Sequence, residues 1–420
     1  MKLQRCKGTR DLSPEEMTRF RFIEGVFRES CLKRGYREVR TPTIEYLHLF
    51  TSAGTLTPSM LGKVYSFLDW DGWSGERVVL RPDGTIPIAR MYIDTMKAKG
   101  LAKLFYVANT FIFEETGKKT RERWQCGTEL IGAGSPLVDA ELISLALEVL
   151  KKLGLEDVKL KLSHAGLIKG LLAKLEFSPE EQARIFDQIL DGNSEALTRI
   201  KSEKPELENV VFPLLSLKGR SSGFLKNVKA LSVQNLPEIT QSLDDFINIV
   251  DILEDLGCKY QIDIASGAGF EYYTGLIFQV FAGQEKVAGG GRYDALIPGM
   301  GGGDIPASGF ALYLDRMMNL VKPGALAESA MPRVLVKSVE DNSLKEVFSA
   351  ADRLREAGYV AEIDLGGQET PDLRWLLDIR SKEPSFVLRD KVKSSRVELK
   401  TIGEVLTLLE AASADKDSLT

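Results

Sequence analysis

The sequence contains little histidine and cysteine, and this shortage excludes several kinds of site. Its 420 residues include two histidines, His48 and His164, which are too few imidazoles for a histidine-based metal centre. The cysteines are scattered and form no C-x-x-C pair, so we expect neither a zinc site nor a disulfide framework. They are Cys6, Cys31, Cys126 and Cys258. We therefore predict no metal and no cofactor.

The chain also lacks long apolar runs and an excess of positive charge. No run reaches the roughly 18 residues of a membrane span, and the polar start MKLQRCKGTRDLSPEE is unlike a signal peptide. The cytoplasm is therefore the expected compartment. A net charge of −5 gives no overall attraction to nucleic acid, although a local basic patch would escape this argument. The length and the 44% hydrophobic content are typical of a globular protein with two or three domains.

Two glycine-rich stretches lack the context of the common nucleotide-binding loops. GGGRYD has no following Gly-Lys-Ser/Thr, so it is not a P-loop. GGGDIPASG lacks the βαβ setting of a dinucleotide site. Taken alone, each stretch is better explained by a turn or a close backbone approach than by a nucleotide site.

Periodicity and capping patterns predict the order of elements. Ser13 followed by Pro14 and two glutamates predicts a helix start. Strand and helix patterns follow up to about residue 165, and helical periodicity alone dominates residues 166–257. Strand patterns then return, and we predict a helix over ALYLDRMMNLV. The last ninety residues alternate between strand and helix patterns, with a helix predicted over TPDLRWLLDIRSK, which indicates a small α/β domain over 332–420.

The order of seven short segments is more specific than any one of them. They are KGTRDLSPEE, REVRTPTIEY, LRPDGTIPIAR, FIFEE…RERWQCGTELIG, EYYTG, GGRYD and GFALYLDR. In this order they resemble histidyl-tRNA synthetase and its paralogues, from Cys6 to about Val321. The resemblance implies an α+β class II core over 1–326, an antiparallel sheet flanked by helices, with the helical insert at about 166–257. TPTIEY resembles the dimer-forming first motif, so a homodimer is expected.

The resemblance also implies a pocket for free histidine. Asp83 matches the family acid that faces the ligand ammonium, and Thr85 supports it. Gln125 and Glu129 match second-motif residues that face the same amino acid. Tyr272 and Tyr273 match the pair that reads the imidazole, whose two nitrogens need one acceptor and one donor. Arg292 and Tyr293, in GGRYD, match the second histidine motif.

Two arginines of the aminoacylating family are missing from their expected positions. The second-motif arginine that clamps the α-phosphate of ATP is replaced by Ile112, and the arginine that precedes the tyrosine pair is replaced by Ala268. One preorganised donor to developing charge is worth roughly 10²–10³ in rate, and isoleucine or alanine offers no donors. Arg316 of the third motif is retained. We therefore expect no catalytic residues.

This combination resembles the regulatory subunits of ATP phosphoribosyltransferase, which are synthetase paralogues in histidine biosynthesis. LSHAGLIKGLL, with His164, is a weaker cue to the same group. The resemblance implies a non-catalytic chain that mediates feedback by histidine and works with the short catalytic subunit, as a homodimer within a hetero-oligomer. Two alternatives remain open: a working or divergent histidyl-tRNA synthetase, and another degenerate paralogue that senses an amino acid or binds RNA.

The last ninety residues resemble the anticodon-binding domain of the synthetase. They contain slightly more acidic than basic residues, whereas binding to an RNA backbone favours a basic face. A basic cluster does occur, at Arg389, Lys391, Lys393, Arg396 and Lys400. We interpret it as a solvated edge and expect no tRNA binding, so this domain is predicted to be a relic or a protein-contact module.

Overall fold

The chain divides into two compact units, Met1–Ala325 and Leu326–Thr420. The computed structural model describes residues 4–52, 61–69, 75–97, 100–113, 120–173, 177–190, 218–232, 239–264, 272–322, 332–339, 344–366, 373–383 and 385–417. No helix in this described part of the chain is long and apolar enough to cross a bilayer.

The first unit is built from strands and helices in mixed order. Its strands are β1 (Arg37–Glu38), β2 (Ile44–Tyr46), β3 (Ser66–Leu68), β4 (Arg77–Leu80), β5 (Ala102–Phe111), β6 (Glu122–Ile131), β7 (Val158–His164), β8 (Lys218–Gly219), β9 (Tyr260–Asp263), β10 (Leu276–Ala282), β11 (Glu285–Arg292) and β12 (Ala307–Tyr313). Its helices are α1 (Pro14–Lys33), α2 (Leu47–Ser52), α3 (Thr85–Met91), α4 (Pro136–Lys152), α5 (Ala165–Ala173), α6 (Pro179–Leu190), α7 (Ser222–Ser232), α8 (Thr240–Asp255), α9 (Leu296–Gly299) and α10 (Leu314–Met317). A π-helical turn, Tyr92–Met96, continues α3.

A large mixed sheet forms the centre of this unit. Its order is β1-β5-β6-β12-β11-β10-β7-β9-β8, and the six strands from β5 to β7 pair antiparallel. β1 and β9 join parallel to β5 and β7. Helices α1, α4 and α8 cover one face, where Phe27 of α1 packs edge-on against Phe105 of β5 at 5.8 Å between ring centroids. The predicted α+β core with a largely antiparallel sheet is confirmed.

The predicted start of the first helix is also confirmed. Ser13 caps α1, because its hydroxyl accepts the backbone N–H of Glu16 at 3.2 Å. The Glu16 carboxylate accepts the Ser13 N–H in return at 2.8 Å, which completes a capping box. This local pairing is readable in the sequence because all of its parts lie within four residues.

The helical insert predicted over 166–257 is helical in its described part, with one exception. Helices α5 to α8 follow one another there. The exception is β8, a two-residue strand that pairs antiparallel with β9 at the edge of the large sheet. A strand this short has no periodicity of its own, and for this reason the sequence pattern did not reveal it.

The helix predicted over ALYLDRMMNLV was only partly right, because its first three residues belong to a strand and Leu314–Met317 form a single helical turn. Residues Ala307–Tyr313 form β12, which lies between β6 and β11, and a single helical turn, α10, follows it. This strand is buried along most of its length and therefore lacks the polar alternation that distinguishes a strand from a buried helix.

The second unit is a small α/β domain, as predicted. Its strands are β13 (Arg333–Ser338), β14 (Val360–Ile363), β15 (Trp375–Ile379), β16 (Phe386–Asp390) and β17 (Ser395–Leu399), and its helices are α11 (Leu344–Glu356) and α12 (Ile402–Asp417). The sheet order is β14-β13-β15-β16-β17. The helix predicted over TPDLRWLLDIRSK was wrong, because its middle residues, Trp375–Ile379, form the central strand β15, flanked on both sides by other strands.

Candidate functional site

A pocket opens on the face of the large sheet that points away from α4. Residues alternate along β12: the Ser308 hydroxyl donates to Asp139 of α4 at 3.3 Å, while Gly309, Ala311 and Tyr313 line the pocket. The space at this face measures about 510 Å³ when the open solvent at its mouth is included. Its described lining is Asp83, Thr85, Tyr106, Gln125, Tyr272, Tyr273, Ile277, Phe278, Lys286, Gly289, Gly290, Tyr293, Gly309, Phe310, Ala311 and Tyr313.

Six of the eight residues predicted to bind histidine therefore lie together along this pocket: Asp83, Thr85, Gln125, Tyr272, Tyr273 and Tyr293. Glu129 is buried beneath the lining and contacts two of its members. Arg292 points to the other side of the sheet. The structure thus assembles residues that are separated by up to 210 positions in the sequence, from Asp83 to Tyr293.

Asp83 supplies a buried carboxyl at the entrance to α3. Its Oδ1 accepts the backbone N–H of Ile86 at 2.9 Å in the first helical turn, which fixes its direction. Burial raises the pKa of Asp83 to about 6, and hydrogen bonds from the α3 backbone oppose this rise. The group is thus largely ionised at neutral pH and can accept a ligand ammonium.

Glu129 is a second buried carboxyl and is held by two hydroxyls. Thr85 Oγ1 donates to its Oε1 at 2.8 Å, and the Tyr293 hydroxyl donates to its Oε2. Burial raises the pKa of Glu129 to about 8, while these hydroxyls oppose the rise. Glu129 is therefore less readily ionised than an exposed glutamate, and an approaching positive group would favour its charged form.

Three tyrosines form one wall. The ring centroids of Tyr272 and Tyr273 lie 5.2 Å apart, and the Tyr293 ring stands edge-on to Tyr272 at 5.3 Å. Burial raises the pKa of all three phenols well above 10, so they remain neutral hydroxyls that can donate or accept. This wall can read a polar aromatic ring.

Glycines leave room for these side chains. A Cβ atom added at Gly84 or Gly127 would overlap the ring of Tyr106, which lies between them. A Cβ at Gly309 would overlap the Glu129 carboxylate. The arrangement of the pocket side chains therefore requires glycine, with no side chain, at positions 84, 127 and 309.

Gln125 has an unsatisfied buried atom. Its Oε1 is buried and has no hydrogen-bond partner among the described residues. Buried polar atoms are usually paired, and an unpaired one at a pocket is a place for a ligand donor.

Arg292 is part of a buried ionic network on the helix side of the sheet. Its guanidinium binds Asp139 of α4 and reaches Asp245 of α8 at 3.2 Å. His164 Nε2 lies 3.2 Å from the same Asp245, and burial lowers the pKa of this imidazole. The network therefore ties the ends of β11 and β7 to the insert helix α8, and the structure does not bring Arg292 into the pocket.

The structure describes two of the three positions at which the aminoacylating family has an arginine. Ile112 is half-buried after β5, and its backbone N–H donates to the Arg121 carbonyl at 3.0 Å. Ala268 lies outside the described residues. Arg316, the retained arginine, lies 3.3 Å from Glu285, and its guanidinium stacks on the Tyr313 ring at 4.9 Å. Among the described residues, no group of three His, Cys, Asp or Glu side chains could hold a metal ion.

Sequence reasoning missed three lining residues with functional side chains, Tyr106, Lys286 and Tyr313. Tyr106 lies opposite Gly127 in the β5–β6 register, so a correct strand pairing would have found it. Tyr313 was missed because its strand was predicted to be a helix. The Lys286 side chain points into the pocket because of an irregularity in β11, which the sequence pattern does not show.

Comparison with known proteins identifies relatives of this chain. The histidyl-tRNA synthetase family model matches residues 8–317. A protein of Dehalococcoides mccartyi named ATP phosphoribosyltransferase regulatory subunit is 53% identical over 97% of this chain and 98% of its own length. A histidine–tRNA ligase of Methanocaldococcus jannaschii is 35% identical, with 89% of this chain and 88% of the ligase covered.

Solved structures agree at the level of the fold. A chain from Bacillus halodurans, described as an ATP phosphoribosyltransferase regulatory subunit/histidyl-tRNA synthetase, has a TM-score of 0.75 at 24% identity, covering 89% of this chain and 95% of its own. Histidyl-tRNA synthetase from Nostoc sp. PCC 7120 also reaches 0.75, at 18% identity, with 98% of this chain and 100% of that chain covered. The chain therefore belongs to the histidyl-tRNA synthetase family. Within that family, its relatives at about half identity are named ATP phosphoribosyltransferase regulatory subunit.

Proposed function

We propose that this chain is a non-catalytic regulatory subunit of ATP phosphoribosyltransferase and that free histidine is its pocket ligand. One observation carries the proposal: the carboxyls and tyrosines of an amino-acid pocket are assembled, while the second-motif arginine position is Ile112. A pocket of this kind can bind an amino acid without clamping the α-phosphate of ATP for its activation. The names of the regulatory relatives support the same assignment.

In this proposal each end of histidine has a partner. The ammonium faces Asp83, and Thr85 holds the neighbouring Glu129 in place. The imidazole lies against the wall of Tyr272, Tyr273 and Tyr293, whose neutral hydroxyls match one ring donor and one ring acceptor. Feedback then requires that histidine bind one state of the complex more tightly than another.

The partner in this proposal is the catalytic subunit of the same enzyme. Copurification of the full chain with that subunit and an assay of phosphoribosyl-ATP formation test it directly. We expect activity only with both chains present and inhibition by histidine. Robust histidine-dependent ATP–pyrophosphate exchange by this chain alone would instead make it a synthetase. Asp83→Ala and Tyr272→Phe should each weaken inhibition by histidine, and unchanged inhibition would place the regulatory ligand elsewhere.

A second copy of the chain is proposed to cover the small sheet, in which β4 pairs with β2 and β3. One face of this sheet exposes Ile44, Tyr46 and Phe67, which are 49%, 44% and 43% exposed. Tyr46 and Phe67 flank Val78 in the register, so their side chains share this face. Exposed apolar groups that lie together are typical of a protein interface, and β2 lies in the segment that resembles the dimer motif.

The second unit is proposed to contact protein rather than tRNA. Its basic cluster is partly neutralised within the unit, because Arg389 pairs with Asp378 and Arg396 lies 2.7 Å from Glu398. Titration with total tRNA at physiological salt tests this proposal, and we expect no saturable binding.

A further inference from the structure

Lys286 lies in the pocket because β11 contains a bulge. On the turn side of the hairpin Lys286 pairs with Phe281 of β10, whereas on the other side Ala288 pairs with Val280, which leaves Val287 as an extra residue. Cross-strand partners point to the same face, so Lys286 and Gly289 share the pocket face although they are three positions apart. In a regular strand, residues three positions apart point to opposite faces.

The Lys286 side chain folds back over the pocket floor. Its ammonium lies 5.8 Å from the centroid of the Tyr313 ring, a cation–π geometry. A Cβ atom added at Gly289 would lie 3.0 Å from its Cε and 3.2 Å from its Nζ, so the absence of a side chain at 289 makes room for it. The Lys286 backbone is also held, since Arg316 Nη1 donates to its carbonyl at 3.0 Å.

Without Lys286, the described lining of the pocket would have an acidic group for a ligand ammonium but no cation for a ligand carboxylate. Asp83 lines the pocket and Glu129 lies beneath it, and together they suit a ligand ammonium. A free amino acid also brings a carboxylate, and the chain has Ala268 where the family pattern has an arginine that contacts that group. Among the described lining residues, Lys286 is the one with a cationic side chain.

We infer that Lys286 binds the α-carboxylate of the amino-acid ligand and makes the pocket selective for amino acids over the corresponding amines. The inference rests on the proposed function, because it assumes that histidine occupies this pocket. It assigns the ligand a direction: the carboxylate points toward the bulge in β11 and the ammonium toward α3.

Calorimetric titration of the full chain with histidine and with histamine, which lacks the carboxylate, tests the inference. The wild type should bind histidine about 10- to 100-fold more tightly than histamine, as expected for loss of a hydrogen bond between charged groups. Lys286→Met should weaken histidine binding by a similar factor and leave histamine binding nearly unchanged, and Lys286→Arg should restore much of the preference. Lys159→Met is the matched control, since Lys159 pairs with Phe281 from the opposite strand and is not among the described lining residues.

A second variant guards against misfolding at position 286. Gly289→Ala keeps the lysine but displaces its ammonium, and it should reduce the preference for histidine as well. If the wild type binds histidine while Lys286→Met binds it equally well, the inference is overturned and the proposed function stands. If the wild type binds no histidine at all, the proposed function fails and the inference fails with it.

Discussion

Replacing Arg292 by methionine should destabilise the first unit far more than the removal of an exposed arginine. The Arg292 side chain is 8% exposed and that of its partner Asp139 is 1% exposed, so methionine would leave a buried carboxylate without its counter-charge. Breaking a buried pair from one side costs about 3–5 kcal/mol. Arg184, 57% exposed and 2.9 Å from Glu181 on α6, is the control, and its replacement should cost about 1 kcal/mol or less.

The pH dependence identifies the group responsible for this cost. Burial raises the pKa of Asp139, and the charge of Arg292 opposes that rise. Without Arg292 the folded chain keeps a proton on Asp139 that the unfolded chain, with a pKa near 3.9, releases. Because the folded state then binds more protons, the penalty grows with pH, by at most about 1.4 kcal/mol per unit.

Urea unfolding followed by circular dichroism at pH 6 and pH 8.5 measures both effects, and the midpoint of the transition assigned to the first unit is compared between variants. Asp139→Asn in the Arg292→Met background should recover part of the loss, because the amide carries no charge. A loss no larger than that of Arg184→Met would refute the argument. A penalty that does not change with pH would show that Asp139 is not its source.

Three further predictions concern the pocket and the dimer. Histidine binding should be about fourfold weaker at pH 5.5 than at pH 7.5 from Asp83 alone, because protonation of a carboxyl with a pKa of about 6 removes the partner of the ammonium, and calorimetry with Asp83→Asn should show this component lost. Gly309→Ala should abolish histidine binding and lower stability by about 1–3 kcal/mol, because its Cβ would overlap Glu129, and retained binding in a titration would contradict the pocket geometry. Tyr46→Asp should convert a dimer into monomers in light scattering. Val107→Asp, at a half-buried position of β5, is the control that shows the effect of unfolding alone. A Tyr46→Asp variant that stays dimeric would remove the small sheet from the interface.

The sequence predicted best what depends on neighbours along the chain. The cap at Ser13 lies within four residues of its partners, and the motif segments keep their order whatever the tertiary structure. The predictions failed at β12 and β15, because mostly buried strands share their apolar composition with buried helices.

The same distinction between local and tertiary features applies to the candidate site. Matching segments identified Asp83 and Tyr293 as candidates, and the structure places both at the pocket. Arg292 is adjacent to Tyr293, and the alternation of side chains along β11 sends it to the opposite face, toward Asp139. Lys286 was not predicted, since its direction depends on a bulge that appears only once β10 and β11 are paired.

The glycines at 84, 127 and 309 bear on how such a protein can change its role over evolutionary time. Catalytic guanidinium groups can be lost one substitution at a time, and each loss affects turnover without reshaping the cavity. The space at each of these glycines is filled by a neighbouring side chain, so a methyl group gained there would overlap Tyr106 or Glu129 and cost stability at once. Selection for folding alone therefore tends to keep these glycines, and with them the placement of Tyr106 and Glu129 at the pocket, after selection for chemistry has ended.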